Sequence, residues 1–336
     1  MAFQNKNKQN LRPGSIFSPR PISYGMKKIV ILQTSGNELA NQLWNYASIY
    51  AYTLERGYKL ENPSFFEYGN YFLIPPPNLF FKTLFFDPFT NYTGRKNAFR
   101  RKVWRKLYFW YARTMLWFFG RHSIVYKDAD NKPYYLPPTK ESLGRLGELE
   151  KKGRNIYFDS WLFRNPAGLE KYRKEIGQYF RPQKDIDSFI ASQTKDLRTR
   201  YETIVGVHIR QGDYEVWRGG AYFIAHRRVR EIMEEYLSVF GKNKEHICFV
   251  ITSDGPIDEK YFSGLNTVVS KGDAVTDLFL LASLDIIIGS NSTFGAFASY
   301  YGNIPFIVMQ KGSVDWDYYH NKTGFFENKY STMVHY

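Results

Sequence analysis

From Thr203 onward, short apolar, β-branched runs alternate with amphipathic stretches. The apolar runs predict strands at 204–209, 247–252, 267–269, 285–288 and 305–309. The stretches between them repeat apolar residues at helical spacing and predict helices at 222–240, 275–283 and 293–301. Strands that are apolar almost throughout and alternate with helices indicate a parallel sheet covered on both faces. Such sheets bind ligands beyond the carboxyl ends of their strands.

A similar alternation starts near Lys27. Residues 29–32 form an apolar run that predicts a buried strand, and a polar turn follows at 33–37. Residues 38–56 repeat apolar side chains at helical spacing, and Gly57 predicts the end of that helix. The order of strand, turn and helix indicates one half of an α/β unit.

The middle of the chain contains one long helix candidate, at 95–121, which is dense in basic and aromatic residues. Its apolar face carries Val103, Leu107, Trp110 and Trp117. The arginines that lie largely away from that face are Arg100, Arg101 and Arg105. Two interpretations follow: the helix packs on the protein by its apolar face, or it lies in an anionic membrane interface.

A chain of 336 residues is long enough for two domains. We expect a flexible polar tail at 1–26, an N-terminal domain at 27–200 with the basic aromatic helix as an insertion, and a C-terminal domain at 201–336. The tail lacks the apolar stretch of a signal peptide, and the sequence has no apolar run long enough to span a membrane. These features predict a cytoplasmic protein.

The formal net charge of +14 points to an anionic partner, which could be nucleic acid, an acidic membrane surface or a phosphorylated small molecule. The single cysteine, Cys248, excludes an intramolecular disulfide and a CxxC zinc site. The histidines show no HExxH pattern, and Asp128-Ala-Asp130 lies in a polar segment without a preceding strand. We therefore expect no bound metal ion.

Four polar clusters directly follow predicted strands, at 36–42, 208–214, 252–254 and 290–294. The carboxyl ends of parallel strands meet at one edge of a sheet, so the last three clusters would line one crevice. The first cluster would face that crevice from the N-terminal domain. Polar side chains that converge between two domains predict a binding cleft.

Arg210 is the strongest single candidate. It leaves a predicted strand into a glycine turn, where its guanidinium can fork onto phosphate oxygens. A preorganised guanidinium would stabilise the charge that develops on a diphosphate leaving group. The alternative is a salt bridge to Asp213 or another carboxylate. His208 points to the same face of the strand and is either structural or part of the site.

Ser292, Thr293 and the amides that begin the following helix predict a second anion site, because helix N-termini present free N–H groups. Thr293 can equally serve as the N-cap of that helix. Asp277 lies at the head of another helix, where it is either a cap or an acceptor for a guanine edge.

In this order, these residues resemble the fucosyltransferase superfamily, which includes α-1,2-, α-1,6- and protein O-fucosyltransferases. The motifs that carry the resemblance are, in chain order, 36–43 with Asn41-Gln42, 208–214 with Gly212, Ser253-Asp254, 277–285, and 290–294 with Phe294. Two departures concern the linkage and the acceptor. The α-1,2 enzymes typically carry a second arginine where Gln211 stands here, and residues 37–40 replace the usual glycine-rich spacing.

The resemblance implies an α/β fold of the GT-B type, in which two Rossmann-like domains with parallel sheets face each other across a cleft. It implies inverting transfer of fucose from GDP-fucose, bound by the C-terminal domain, to a glycan or lipid-linked oligosaccharide on the N-terminal, acceptor side. No metal is required, and no specific nucleic acid is expected. An anionic membrane surface is a further expected contact. The alternatives are a GT-B enzyme that uses another nucleotide sugar, and a non-catalytic module that binds polyanions or membranes.

The same resemblance implies roles for individual residues. Arg210 would neutralise the diphosphate, Asp213 is the nearest candidate base, and Asn41 would orient the acceptor hydroxyl or a phosphate oxygen. His208 with Asp254 or Asp277 would recognise guanine or ribose. The full set of donor-binding candidates is His208, Gly212, Ser253, Asp254, Asp277, Ser292, Thr293 and Phe294.

Overall fold

The computed structural model describes residues 27–35, 38–86, 98–119, 124–127, 134–135, 144–152, 155–159, 162–241 and 243–321. Gly36, Asn37 and the Asp128-Ala-Asp130 segment lie outside these residues. A strand at Ile124–Lys127 ends directly before Asp128, so the expectation that no strand precedes this segment is wrong. None of the described helices is long and apolar enough to cross a membrane.

The strands of the first half of the chain are β1 (Lys28–Ile31), β2 (Lys59–Glu61), β3 (Ile124–Lys127), β4 (Tyr134–Tyr135), β5 (Ile156–Asp159) and β6 (Phe163–Arg164). Its helices are α1 (Leu39–Arg56), α2 (Leu79–Phe81), α3 (Ala98–Phe119), α4 (Gly144–Lys151), α5 (Pro166–Lys171), α6 (Arg173–Tyr179) and α7 (Lys184–Arg200). A π-helical turn, Lys82–Phe86, continues α2. Four strands form a parallel sheet in the order β2-β1-β5-β3, and β4 pairs with β6 in a separate parallel pair.

Helix α1 ends where its sequence predicts. Gly57 adopts the left-handed conformation (φ 65°), which a residue with a side chain rarely adopts, and the cap amides bond to the carbonyls of Leu54 and Thr53. The predicted strand, turn and helix at the start of the folded chain are therefore present as β1 and α1.

The second half of the chain contains strands β7 (Thr203–Ile209), β8 (Ile247–Ser253), β9 (Thr267–Val269), β10 (Ile286–Gly289) and β11 (Phe306–Val308). Its helices are α8 (His226–Phe240), α9 (Ala274–Ala282), α10 (Thr293–Gly302) and α11 (Trp316–Asn321). The strands form a parallel sheet in the order β11-β10-β7-β8-β9, which confirms the predicted parallel α/β sheet. The chain moves outward from β7 in both directions, so β7 and β10 flank a topological switch point.

Helix α8 begins at His226, later than the predicted start at residue 222. Its N-cap, Ala225, has an extended backbone (φ −67°, ψ 149°), so the helical conformation starts only after it. Before the predicted start, Arg218, Gly219 and Gly220 have positive φ angles. Arg218 is one of two non-glycine residues with positive φ among the described residues.

Helices cover both faces of the second sheet. Val205, Val207 and Ile209 of β7 pack with Val229 and Ile232 of α8 on one face. On the other face, α9 and α10 share a core with α1 of the first half. The Trp44 ring lies 5.3 Å from the rings of both Phe297 and Tyr300, and its Nε1 donates to the Thr293 carbonyl at 3.0 Å. The two halves are therefore joined by one continuous core beneath their facing sheet edges.

The interpretation in which the basic aromatic helix packs on the protein by its predicted apolar face is wrong. Trp110 and Trp117 are 70% and 67% exposed, and Val103 and Leu107 are also exposed. The residues that α3 buries are Tyr108, Ala112 and Leu116.

Arg101 and Arg105 of α3 lie away from that exposed apolar face, as predicted, and point toward the protein. Both ion-pair with Glu67, which is 6% exposed and needs cationic partners at that depth. Because Tyr108, Arg101 and Arg105 face the protein, the predicted apolar face of α3 faces solvent. Helical spacing alone does not reveal this orientation.

Candidate active site

A cavity of about 690 Å³ lies at the carboxyl ends of β7, β8 and β10, with the first turn of α1 on its opposite wall. All four predicted polar clusters contribute to its lining. The candidate site residues that line it are Asn41, His208, Arg210, Asp213, Ser253, Asp254, Asp277, Ser292, Thr293 and Phe294. The switch point between β7 and β10 is where an α/β sheet of this order presents its ligand crevice.

Arg210 follows β7 and lies between two carboxylates. Its Nη2 is 2.7 Å from Oδ1 of Asp213, and its Nη1 is 2.6 Å from Oδ2 of Asp254. Its backbone N–H donates to Oγ of Ser290 at 3.0 Å, which ties the end of β7 to the end of β10. The salt bridge that the sequence left as an alternative is thus present, and the guanidinium still faces the cavity, with 28% of the side chain exposed.

The two carboxylates around Arg210 are held differently. Asp254 also accepts a hydrogen bond from the backbone N–H of Gln211 at 2.7 Å, and its side chain is 28% exposed. Asp213 is 60% exposed and lies one turn from Arg210 along the chain. Asp254 is therefore the fixed partner of the guanidinium, and Asp213 is the more accessible one.

Gly212 does not line the cavity, although the sequence predicts it there. Its φ is 24°, and a Cβ at this position would lie 2.4 Å from Oδ2 of Asp254. Only a residue without a side chain leaves room for Asp254 to reach Arg210. Gly212 therefore acts by positioning Asp254.

His208 is a neutral group of the cavity wall. Burial and the Arg210 charge lower the pKa of the imidazole from 6.5 to about 3, so it does not become a cation at physiological pH. Its ring stacks on Phe294 with a centroid distance of 4.7 Å, and Nδ1 lies 3.3 Å from Oγ1 of Thr252. Nε2 has no hydrogen-bond partner among the described groups, although it is buried. A buried polar atom without a partner in a cavity-lining residue is a candidate contact for a ligand or an ordered water.

The turn between β10 and α10 supplies a second such atom. Ser292, not Thr293, is the N-cap of α10, and its side chain makes no capping hydrogen bond. The Oγ of Ser292 is buried and has no partner among the described groups. Thr293 is the first helical residue, so its amide and the next ones form the open end of the helix dipole. The turn thus has the features of an anion site.

Asp277 is not a helix cap. The N-cap of α9 is Asp273, whose Oδ1 accepts from the Thr276 amide at 2.9 Å. Asp277 lies in the first turn, is 7% exposed, and accepts a hydrogen bond from Oγ of Ser270. Desolvation raises its pKa from 3.8 to about 6, partly offset by the Ser270 hydrogen bond. Asp277 remains available as an acceptor at the cavity edge.

Several lining residues are not among the predicted site residues. Among them are Glu38, Tyr68, Arg164, Trp217 and Arg218. Trp217 stacks on Tyr214 at 5.4 Å with an interplanar angle of 19°, and the Arg218 guanidinium lies 4.8 Å from the centre of the Trp217 ring. Arg164 is an arginine with only 6% exposure, a rare state for this residue type. Its only sequence signal is its place before the Asn165-Pro166 helix start, which does not mark a cavity.

Among the described residues, no group of three or more His, Cys, Asp or Glu side chains is arranged to hold a metal ion. The cavity instead offers a guanidinium, the N-terminus of a ten-residue helix, two unpartnered buried polar atoms and an aromatic wall. This set suits an anionic ligand with a polar, ring-containing substituent.

Residues 169–328 match the family model described as glycosyl transferase family 11. The matched segment contains β7 to β11 and with them most of the cavity. The second half of the chain is therefore similar to glycosyltransferases of this family, which supports the resemblance predicted from the sequence. No curated protein sequence matches the chain.

Solved structures of two fucosyltransferases share the fold. The GDP complex of a variant of Arabidopsis thaliana FUT1 aligns with a TM-score of 0.50 at 14% identity, covering 86% of this chain and 71% of that one. The complex of POFUT1 with GDP-fucose aligns with a TM-score of 0.51 at 12% identity, covering 88% of this chain and 97% of that one. The GT-B architecture predicted from the sequence is confirmed.

Proposed function

We propose that this glycosyltransferase is an inverting fucosyltransferase that moves fucose from GDP-fucose to a glycan or glycolipid without a divalent metal ion. The observation that carries the proposal is the arrangement at the switch point, where Arg210, the unpartnered atoms of His208 and Ser292, and the N-terminus of α10 face one cavity. The ligands named for the two structural relatives, GDP and GDP-fucose, support the choice of donor.

In this proposal the diphosphate lies between Arg210 and the first turn of α10. One guanidinium with two carboxylates carries a net negative charge, so an incoming diphosphate has to displace one of the carboxylates. Asp213 is the one that can leave, because it is the more exposed and lacks the backbone hydrogen bond that holds Asp254. Asp254 keeps the guanidinium aimed into the cavity throughout.

The displaced Asp213 then has a second role. First, the bond between the anomeric carbon and the phosphate oxygen breaks. The electron pair of this bond stays on the diphosphate, where Arg210 and the amides of α10 stabilise the negative charge. The acceptor oxygen forms its bond on the opposite face of the sugar and loses its proton to Asp213. Asn41, in the first turn of α1, lies on the opposite wall and is proposed to orient the acceptor hydroxyl.

The base of the nucleotide is proposed to bind at Asp277. A carboxylate accepts from the N–H groups on the guanine edge, and Ser270 holds Oδ1 of Asp277 in place. His208, stacked on Phe294, offers Nε2 to the ribose or phosphate. Ser253, at the end of β8, lines the same side of the cavity.

The aromatic wall is proposed to receive the acceptor sugar. Tyr214, Trp217 and Tyr222 form a stack, and the Tyr214 hydroxyl donates to the Asn291 carbonyl at 3.1 Å. Trp217 is 39% exposed and lines the cavity. Its broad apolar face can pack against the ring of a sugar while neighbouring polar groups bond to hydroxyls. We further propose a cytoplasmic protein that meets a lipid-linked acceptor at the membrane surface.

Titration calorimetry with GDP, UDP and CDP in EDTA tests the donor and the metal independence together. We expect GDP to bind at least ten times more tightly than the other two, with no loss in EDTA. Product mass after incubation with a set of nucleotide sugars then identifies the transferred sugar. Tighter binding of UDP or CDP would assign another donor. Salt-sensitive polyanion binding without transfer would instead indicate a non-catalytic module.

A further inference from the structure

Helix α3 presents an outward surface that combines large aromatic and basic side chains. We define this docking face by Phe99, Trp110 and Trp117, together with Lys102, Lys106 and Arg113. The three aromatic residues are 81%, 70% and 67% exposed, and the three basic residues are exposed as well. A soluble protein rarely leaves such a patch of rings uncovered unless it contacts a partner.

The charge of α3 has a single sign. The helix contains several lysines and arginines and no aspartate or glutamate over its 22 residues. Two of its cations, Arg101 and Arg105, point inward to Glu67, so they do not contribute to the outer surface. The basic residues of the docking face have no recorded ion pair among the described residues. The surface is therefore complementary to a negatively charged partner.

A neighbouring turn that packs on α3 also exposes apolar side chains. Leu79 and Phe80 of α2 are 78% and 66% exposed. The adjacent Phe81 and Phe85 pack on Tyr108 and Tyr111 of α3, with ring distances between 5.3 and 6.3 Å. The turn that carries Leu79 and Phe80 is thus fixed to α3 by aromatic packing.

The inner side of α3 reaches the catalytic cleft. Nη2 of Arg101 lies 3.3 Å from Oε2 of Glu38, and Glu38 lines the cavity beside α1. Arg101 also donates to the Tyr68 hydroxyl at 3.1 Å, and Tyr68 is another lining residue. A surface that binds the outer face of α3 would therefore be separated from these cavity residues by the width of one helix, about 10 Å.

We propose that the docking face of α3 binds the headgroup region of an anionic lipid bilayer and holds the cleft beside the membrane surface. Aromatic residues interleaved with lysine and arginine are typical of helices that lie in this region, because the rings enter the interface while the cations meet lipid phosphates. A second copy of the chain fits less well, since it would bring like charges together. The proposal rests on the proposed function in one respect: a lipid-linked acceptor gives the contact its purpose.

Sedimentation of the full chain with vesicles tests the proposal, using phosphatidylcholine alone and phosphatidylcholine with 30% phosphatidylglycerol. Each basic residue near an anionic surface changes partitioning about fivefold. The Lys102→Glu/Lys106→Glu/Arg113→Glu variant should therefore lose at least about a hundredfold in binding to anionic vesicles. The matched control, Lys174→Glu/Lys184→Glu/Lys195→Glu, makes the same change of net charge on exposed positions of α6 and α7. It should bind within about threefold of the unmodified protein.

The aromatic contribution has its own pair of variants. Trp110→Ser/Trp117→Ser should reduce vesicle binding at least tenfold, whereas Phe189→Ser/Tyr261→Ser, which removes exposed rings elsewhere, should leave it unchanged. Equal losses in the test and control variants, or no vesicle binding by the unmodified protein, would overturn the proposal. So would a dimer in size-exclusion chromatography that disappears in the Trp110→Ser/Trp117→Ser variant.

GDP calorimetry on the same variants separates this proposal from the proposed function. The docking variants should bind GDP like the unmodified protein, because none of the changed residues lines the cavity. Vesicle binding that follows the docking face in a protein without GDP binding would support the membrane contact and remove the donor assignment. GDP binding without vesicle binding would support the donor assignment and remove the membrane contact.

Discussion

Two arginine clusters of this protein differ in how deeply their central group is buried. In the cleft, one guanidinium, Arg210, meets the carboxylates of Asp213 and Asp254. Beneath α3, the guanidinium groups of Arg101 and Arg105 meet the buried Glu67 and also the exposed Glu38. The central group of the first cluster is 28% exposed, whereas that of the second is 6% exposed.

The difference separates a cluster that can exchange partners from one that cannot. Two carboxylates on one cation repel each other, and the exposed Asp213 can be replaced by a phosphate that makes the same charge-assisted hydrogen bonds. Glu67 has no comparable exchange, because water does not reach it to replace a lost arginine. We therefore expect changes in the first cluster to affect activity and changes in the second to affect folding.

The largest effect should follow Arg101→Ala/Arg105→Ala. This variant leaves the buried Glu67 without the cations that neutralise it, and we expect the free energy of unfolding in urea to fall by about 3–5 kcal/mol. Arg198→Ala is the control, because it breaks a pair with Asp285 whose members are about 40% exposed and should cost less than about 1 kcal/mol. A loss in the double variant no larger than in the control would mean that Glu67 is not held by these arginines.

The next effect concerns Arg210→Ala. Loss of one preorganised donor to the leaving group should raise the transfer barrier by about 2.7–4 kcal/mol, so that kcat/KM falls at least a hundredfold. The same control, Arg198→Ala, should transfer sugar at the normal rate. Normal turnover in a folded Arg210→Ala protein would refute the role assigned to this guanidinium.

The third prediction concerns Asp277, which is buried like Glu67 but has no ion pair among the described residues. Its pKa in the folded protein, about 6, lies above the ordinary 3.8, so the folded state holds the proton more tightly. Stability should therefore fall as the pH rises from about 4 through 6. Asp277→Asn removes this titration and should be about 3 kcal/mol more stable than the unmodified protein at pH 7.5, with almost no difference near pH 3. Urea unfolding across this range measures the effect.

The same variant should bind GDP more weakly, because an amide presents one acceptor where the carboxylate presents two. Unchanged GDP affinity would exclude Asp277 from the base site, and a pH-independent stability difference would contradict the raised pKa.

The smallest effect should come from Gly212→Ala. The new methyl group would displace Asp254 from Arg210, and we expect kcat/KM to fall about tenfold, or about 1–2 kcal/mol. Gly219→Ala is the matched control, because Gly219 also has a positive φ but a Cβ there meets nothing within 4 Å. Equal losses in the two variants would assign the effect to backbone strain rather than to Asp254.

The sequence indicates much of the cleft because its signals are local. A buried parallel strand needs a continuous apolar run, and the polar residues that follow it must emerge at the sheet edge. Arg210 after β7, Asp254 after β8 and Ser292 after β10 were therefore predictable as neighbours. The N-cap of α9 was not predictable, because Asp273 and Asp277 both occur near the start of the helix. Only the structure shows that Asp273 accepts the hydrogen bond from the Thr276 amide.

The sequence by itself determined the parallel α/β architecture, the end of α1 at Gly57 and the strand ends from which the cleft is built, since each depends on the order of residues along a short segment. Only the tertiary structure decided which side of α3 is buried, which carboxylates hold Arg210 and why Gly212 has no side chain. Those outcomes depend on groups far apart in the chain, such as Glu67 beneath α3 and Asp254 beside Gly212. The free energy of burying a charged group depends on the partner that it meets. It can therefore be judged only from the folded structure, in which the two groups are in contact.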